Sequence, residues 1–238
     1  MENWLLLTGI VFFAALLQAS TGFGFSIIGT PFLFLLYPAH AAIQINILLS
    51  LCLSLIMIYP VRREIEKGLL GRLAAGSIVG LIPGIGIYLY VEVEWLKAVV
   101  GGLILLLTVL LMVNVTIRRT KGRDLLTGGI SGALTTSIGV PGPPLLLYFA
   151  GAGTAKETLR GTTLAYYLLV YSVSLGLQIS LGGTGQEVWV SSGIALPALI
   201  LGILAGQWLF KRMSQRLFKR MTYVILLFTG TYLLVTSV

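Results

Sequence analysis

Apolar residues in this chain come in long runs without a regular polar face, at about 4–37, 41–59, 69–91, 95–115, 125–153, 161–181, 188–210 and 221–237. A helix apolar on every side must be covered by lipid or protein, and one bilayer crossing takes about 20 such residues. The runs therefore predict an all-α polytopic membrane protein. Two of them do not fit a single crossing. Trp4 to Tyr37 would extend about 50 Å as one helix, against a hydrocarbon core of about 30 Å. The run has to break, and Ser20-Thr21-Gly22-Phe23-Gly24-Phe25-Ser26 marks the place by putting glycines and hydroxyls inside apolar sequence. The fifth run breaks at Ser137-Ile138-Gly139-Val140-Pro141-Gly142-Pro143-Pro144. There Pro141 and Pro143 remove backbone donors, and Pro143-Pro144 suits the first turn of a new helix.

The breaks occupy corresponding places in an internal repeat. Gly29-Thr30-Pro31-Phe32-Leu33 aligns with Gly142-Pro143-Pro144-Leu145-Leu146, and Gly80-Leu81-Ile82-Pro83-Gly84 with Gly202-Ile203-Leu204-Ala205-Gly206. The offset grows from 113 to 122, which asks for an insertion, expected in the loop from Gly182 to Glu187. Two membrane repeats follow, residues 1–117 and 118–238, each a broken or re-entrant helical hairpin plus three transmembrane helices, with no soluble domain.

Charge decides how the broken runs cross. If every run crossed once, the 16 Lys and Arg would divide evenly between the two faces. If each broken run is a hairpin returning to its own side, every basic residue except Lys97 falls on one face, which the positive-inside rule makes cytoplasmic. Both termini then lie outside, and the two repeats have inverted topology, their glycine-rich tips meeting near the midplane. The N-terminal Met1-Glu2-Asn3-Trp4 is acidic where a secretory signal is basic, so the first run is expected to be retained.

Composition narrows the chemistry. With 57% hydrophobic and 10% charged residues there is little material for a soluble surface, and the net charge of +8 points to anionic lipid headgroups, not nucleic acid. His40, Cys52 and Asp124 are each the sole residue of their type, which excludes disulfides within the chain and Cys/His metal sites. No cofactor is called for. No ionisable side chain falls near the middle of a run; Arg72, Lys97, Glu157 and Arg160 sit near ends, so a proton relay of buried carboxylates is not expected. His40 reads as a solvated loop residue, and Cys52 as a small core residue.

What the middle of the runs offers is backbone and hydroxyl. Each returning half-helix presents its N-terminus at a tip, where free N–H groups and the positive dipole end favour an anion. The expected substrate-binding residues are Ser20, Thr21, Gly22, Phe23, Gly24, Phe25 and Ser26 at the first break and Thr136, Ser137, Gly139, Val140 and Gly142 at the second, with Gln18 and Asn46 as further hydrogen-bonding groups. Thr135 lies beside them. Tyr166, Tyr167 and Tyr171 are candidates to line a pathway, with packing an equal alternative. Gly80 with Gly84 and Gly202 with Gly206 have the four-residue spacing of close helix packing.

The run from Thr21-Gly22-Phe23-Gly24 to Pro31, together with Gly139-Val140-Pro141-Gly142-Pro143-Pro144 and the later Arg160-Gly161-Thr162, resembles the sulfite exporter TauE/SafE family of permeases, also called the toluene sulfonate uptake permease family. Phenylalanines interrupt the triple glycine common in that family's first motif. The resemblance implies an inner (plasma) membrane transporter, not an enzyme, that exports a small sulfur-containing anion such as sulfite or an organosulfonate. A carrier or channel for another small anion, such as a carboxylate, is the alternative. An intramembrane enzyme needs a nucleophile with a base in reach, and a scaffold subunit does not need matched breaks. The expected partners are the anion and membrane lipid, with a homo-oligomer left open.

Overall fold

The computed structural model of the protein describes residues 2–113, 116–212 and 214–235, and among them the regular structure is all α-helix. The helices are α1 (Glu2–Thr21), α2 (Phe25–Leu33), α3 (Ala39–Val61), α4 (Lys67–Tyr90), α5 (Val93–Met112), α6 (Lys121–Ile138), α7 (Gly142–Gly151), α8 (Lys156–Gly182), α9 (Gln186–Arg212) and α10 (Gln215–Val235). Among the described residues α1, α3, α4, α8 and α9 are long and apolar enough to cross a membrane. Asn114 lies outside the described residues.

Both long runs break where their glycines allow it. Gly22 and Gly24 have φ of 85° and 121°, and such values let the chain leave α1 and restart as α2 within three residues. Gly139 closes α6 with φ 75°, its N–H on Thr135 O (2.8 Å), while the Val140 N–H reaches back to Leu134 O (3.2 Å). The left-handed Gly139 with its bond to the carbonyl four residues back is the αL form of helix C-cap. The prolines at the start of α7 cost nothing there, because first-turn amides have no intrahelical acceptor.

The arms of each break are unequal. α1 is 20 residues and α2 is 9; α6 is 18 and α7 is 10. At about 1.5 Å per residue α1 alone is long enough to cross, so the loop of the first break lies toward the far end of the bundle and not at its middle. What meets instead is the start of the returning helices, Ile27 of α2 lying against Gly142 of α7. α2 and α7 start 117 residues apart, as do α3 and α8, a spacing that sets Gly142 beside Phe25 where the motif match sets it beside Gly29; α1 and α6, and α4 and α9, start 119 residues apart.

Contacts divide the loops between two ends. At one end, Gly161 packs on Glu64 and the Val61 carbonyl, the Glu66 N–H donates to Thr162 Oγ1 (3.0 Å), and Arg119 pairs with Glu66 (2.5 Å). At the other, His40 Nε2 donates to the Tyr88 carbonyl (2.9 Å) and Gln44 to the Gly183 carbonyl (2.8 Å). His40 is exposed, as the sequence reading expects, but its ring is tied edge-on to Tyr88.

α1 packs on α9 and α6 on α4, so the long arm of each broken run is held by the fourth helix of the other half of the chain. Glycine makes both pairs close. A Cβ on Gly84 would lie 2.6 Å from the Ala133 carbonyl, on Gly132 2.7 Å from the Ser77 carbonyl, and on Gly202 2.5 Å from the Phe12 carbonyl. Backbone meets backbone along both seams, the small-residue packing that lipid-embedded helices favour.

One ion pair ties the basic end together. Asp124, 2% exposed, accepts from Arg72 Nε (2.5 Å) and from the Tyr148 hydroxyl, joining the starts of α4 and α6 to α7. Asp124→Asn should lower stability by about 2–3 kcal/mol, below the usual range for breaking a buried pair because Arg72 is 34% exposed. Thermal melting of the purified variant reads this, and an unchanged melting temperature would show that the pair carries no stability.

Candidate functional site

α2 begins without a capping side chain, so no side chain takes its first amides. α7 likewise has none, and Pro143 and Pro144 bring no N–H at all. The α2 start is thus the richer source of backbone donors.

The hydroxyls expected at the breaks fall into two groups. Ser20 and Thr21 donate to the Leu17 carbonyl (3.0 and 2.6 Å), with Thr21 also against the Phe23 carbonyl; Thr135 donates to Ser131 (2.6 Å) and Ser137 to Ala133 (2.8 Å). Thr136 reaches Gly132 O (3.2 Å) and Ser174 Oγ (2.8 Å). A hydroxyl has one proton, and where a helix carbonyl takes it none is left for an anion. Ser26 is different: its Oγ is buried and bonds no helix carbonyl, and Gln18 Nε2 and Oε1 and Asn46 Oδ1 are buried with no partner. Asn46 Nδ2 donates to the Gly139 carbonyl (2.9 Å), which fixes the second break against α3. Gly22, Phe23, Gly24, Phe25, Val140 and Gly142 are buried as well, Gly142 facing Tyr167.

Two stripes add residues that were not singled out together. On α3, Asn46, Ser50 and Ser54 recur every fourth residue, and on α8 Thr163, Tyr167 and Tyr171 do the same; all six are buried. They are the same positions under the 117-residue offset, and α3 packs on α8. The Tyr171 hydroxyl lies beside those of Ser26 and Ser50. The hydroxyls of Ser54, Thr163 and Tyr167 have no hydrogen-bond partner, and those of Ser26, Ser50 and Tyr171 have at most one another. A buried polar group left unpaired costs about 1–3 kcal/mol, so a group of them facing one region is material for a polar ligand or for water. Ser50 and Ser54 were legible as a four-residue polar period in an apolar run. Thr30, unpaired on α2, had no such signal.

Tyr166 stands apart, its hydroxyl donating to the Gly128 carbonyl (3.2 Å), a packing role. Toward the His40 end a cavity of about 340 Å³ opens among Pro38, His40, Gln44, Gly183 and Glu187. Among the described residues no cluster of His, Cys, Asp and Glu could hold a metal.

The family model for the sulfite exporter TauE/SafE matches residues 7–233, nearly the whole chain and both breaks. The chain belongs to the sulfite exporter TauE/SafE family. Neither a curated protein nor a solved structure matches it. TauE/SafE membership makes it a membrane-embedded transporter of the sulfite and sulfur-anion class, in keeping with its apolar helices. For a TauE/SafE protein the neutrality of the central groups is informative, since an anion can be held without a buried metal or cofactor by amides and hydroxyls alone.

Proposed function

We propose that the protein exports a small sulfur-containing anion, sulfite or an organosulfonate, binding it between the start of α2 and the facing stripes of α3 and α8. The observation that carries the reading is the set of buried hydroxyls of Ser26, Ser50, Tyr167 and Tyr171, which bond no helix carbonyl and have at most one another as partners, beside uncapped α2 amides. These donors replace the hydration an anion loses in the membrane, and no positive charge is needed in contact. The second break contributes less, because the position matching Ser26 is Pro143.

The two halves, 1–117 and 118–238, are inverted repeats in this reading, with the basic end in the cytoplasm of an inner-membrane protein and both termini outside. Cysteine substituted at His40 on a background lacking Cys52 should then label from outside, and cysteine at Arg118 only from inside.

Sulfite flux in proteoliposomes tests the function, with acetate as the competing carboxylate. Ser26→Ala and Tyr171→Phe should each raise the sulfite KM about tenfold, the effect of about 1–3 kcal/mol for a lost hydrogen-bond partner. Ser137→Ala should leave KM within about twofold, because its proton already belongs to Ala133. Flux of acetate in preference to sulfite would favour the carboxylate reading, and unchanged KM in both donor variants would move the site elsewhere.

A further inference from the structure

Gly22 and Gly139 lie 117 residues apart, and so do Ile43 and Arg160, one near each of them. A Cβ on Gly139 would lie 2.9 Å from Asn46 Nδ2, 3.2 Å from Ile47 Cγ1 and 3.6 Å from Ile43 Cγ2; on Gly22 it would lie 2.6 Å from Arg160 Cα and 3.2 Å from Arg160 Cγ. One break therefore carries a neutral amide and aliphatic side chains and the other an arginine. Arg160 is 6% exposed, the only Lys or Arg in the buried class among the described residues. Its Nε has no partner, and no acid lies within salt-bridge distance of it. Arg160 does sit near a helix end, as the sequence places it, but it is buried there.

The surroundings give the guanidinium a ring face but no ion-pair partner. Its Cζ sits 4.0 Å from the Phe210 ring centroid, and Lys156 Nζ lies 4.7 Å from the same centroid. A ring face stabilises a cation but leaves its N–H groups unsatisfied. The acids coupled to it are Glu64 and Glu157. Glu157 pairs with Lys156 (3.8 Å), and burial pushes the Glu64 carboxyl up, with Arg160 opposing the shift. Arg160 thus has two carboxylates near it and is ion-paired with neither, a cation open to an anion beside the α2 start.

We propose that Arg160 is an anion-binding residue that receives the transported oxyanion at the basic end and hands it to the α2 amides and hydroxyls. The inference rests on the anion-transport reading above and adds to it a second, charged contact at one break only. A planar guanidinium with an unpaired N–H matches an oxyanion's geometry, whereas Ile43 at the equivalent place can offer nothing comparable. The two ends of the path are then unlike, and an anion is captured more readily from the basic end.

Binding of sulfite to the purified full-length protein, by calorimetry, together with flux from each face of oriented proteoliposomes, tests this. Arg160→Gln should weaken sulfite binding about tenfold or more and raise KM from the basic face selectively, while Arg160→Lys should recover part of it. Glu64→Gln, which removes a competing carboxylate, should tighten binding. Phe210→Leu removes the ring but keeps the charge, and should leave affinity within about twofold if the role is binding. If Phe210→Leu reproduces Arg160→Gln, or if Arg160→Gln binds sulfite as the wild type does while Ser26→Ala does not, Arg160 is a packing residue and the proposal falls. If Ser26→Ala, Tyr171→Phe and Arg160→Gln all bind normally, the anion site itself is misplaced. Should Arg160→Gln not fold, the signs of the Arg160→Lys and Glu64→Gln effects decide, and a tighter Arg160→Lys or a weaker Glu64→Gln overturns the inference.

Discussion

Gly80→Ala should destabilise the protein by about 3 kcal/mol or more, a large effect for one added methyl. Gly80 faces Gly129 and Ala133 of α6 so closely that a Cβ would fall inside the Gly129 carbonyl oxygen and 2.9 Å from the Ala133 N. Those atoms are backbone on a helix held on both sides of the contact by Gly76 and Gly84, so they cannot step aside individually. The same helix supplies its own controls. Gly71 and Gly86 have nothing within 4 Å of an added Cβ. Alanine there should be neutral or stabilising by up to about 1 kcal/mol, because it is the better helix former. Opposite signs for one substitution on one helix are the expected outcome in thermal melts of the purified variants. Equal melting temperatures for Gly80→Ala and Gly86→Ala would mean that α4 and α6 do not touch backbone to backbone.

Gly142→Leu should abolish sulfite binding and flux while the protein still inserts and purifies. A Cβ at Gly142 would lie 3.0 Å from the Tyr167 hydroxyl and 3.3 Å from Ile27 Cδ1, so the rest of a leucine side chain must displace groups at the α2 start. Gly24 is a different case. The nearest atom to a Cβ there is Leu17 Cβ at 3.6 Å, ordinary contact, but its φ of 121° suits glycine alone. Gly24→Ala should therefore cost about 1–2 kcal/mol of stability through the backbone, with any loss of flux following loss of fold. Binding by calorimetry beside melting temperature separates the two. A Gly142→Leu protein with wild-type sulfite affinity would remove the α7 start from the site.

Much of the architecture was legible because it follows from length and composition. A 34-residue apolar stretch cannot be one span, and glycine is the residue that lets it turn, so the breaks at Gly22-Gly24 and Gly139 were visible in the chain itself. Gly80 with Gly84 and Gly202 with Gly206 were legible as packing for a similar reason: four-residue spacing puts both on one face of a helix. The spacing of the helix starts was not. Gly-Pro motifs recur freely in membrane helices, and they carry no trace of the 117 residues that separate the starts of α2 and α7 and of α3 and α8.

The site divides in the same way. That the groups in the middle of the apolar runs are neutral was decided by the chain, which places no charge there, and a bilayer interior makes such absences meaningful. Which hydroxyls are free was decided only by tertiary structure. Ser137 and Ser26 look alike in sequence, yet one gives its proton to the carbonyl four residues back and the other, at the start of a helix, has no such carbonyl to reach. Arg160 is the sharpest case. Four residues from the start of α8 it reads as a side chain that reaches solvent, and its burial exists only because α1 ends at Gly22, against the Arg160 backbone, and α9 brings Phe210 over its guanidinium. Burial of a long cation depends on what packs beside it from distant parts of the chain, and no local pattern carries that information.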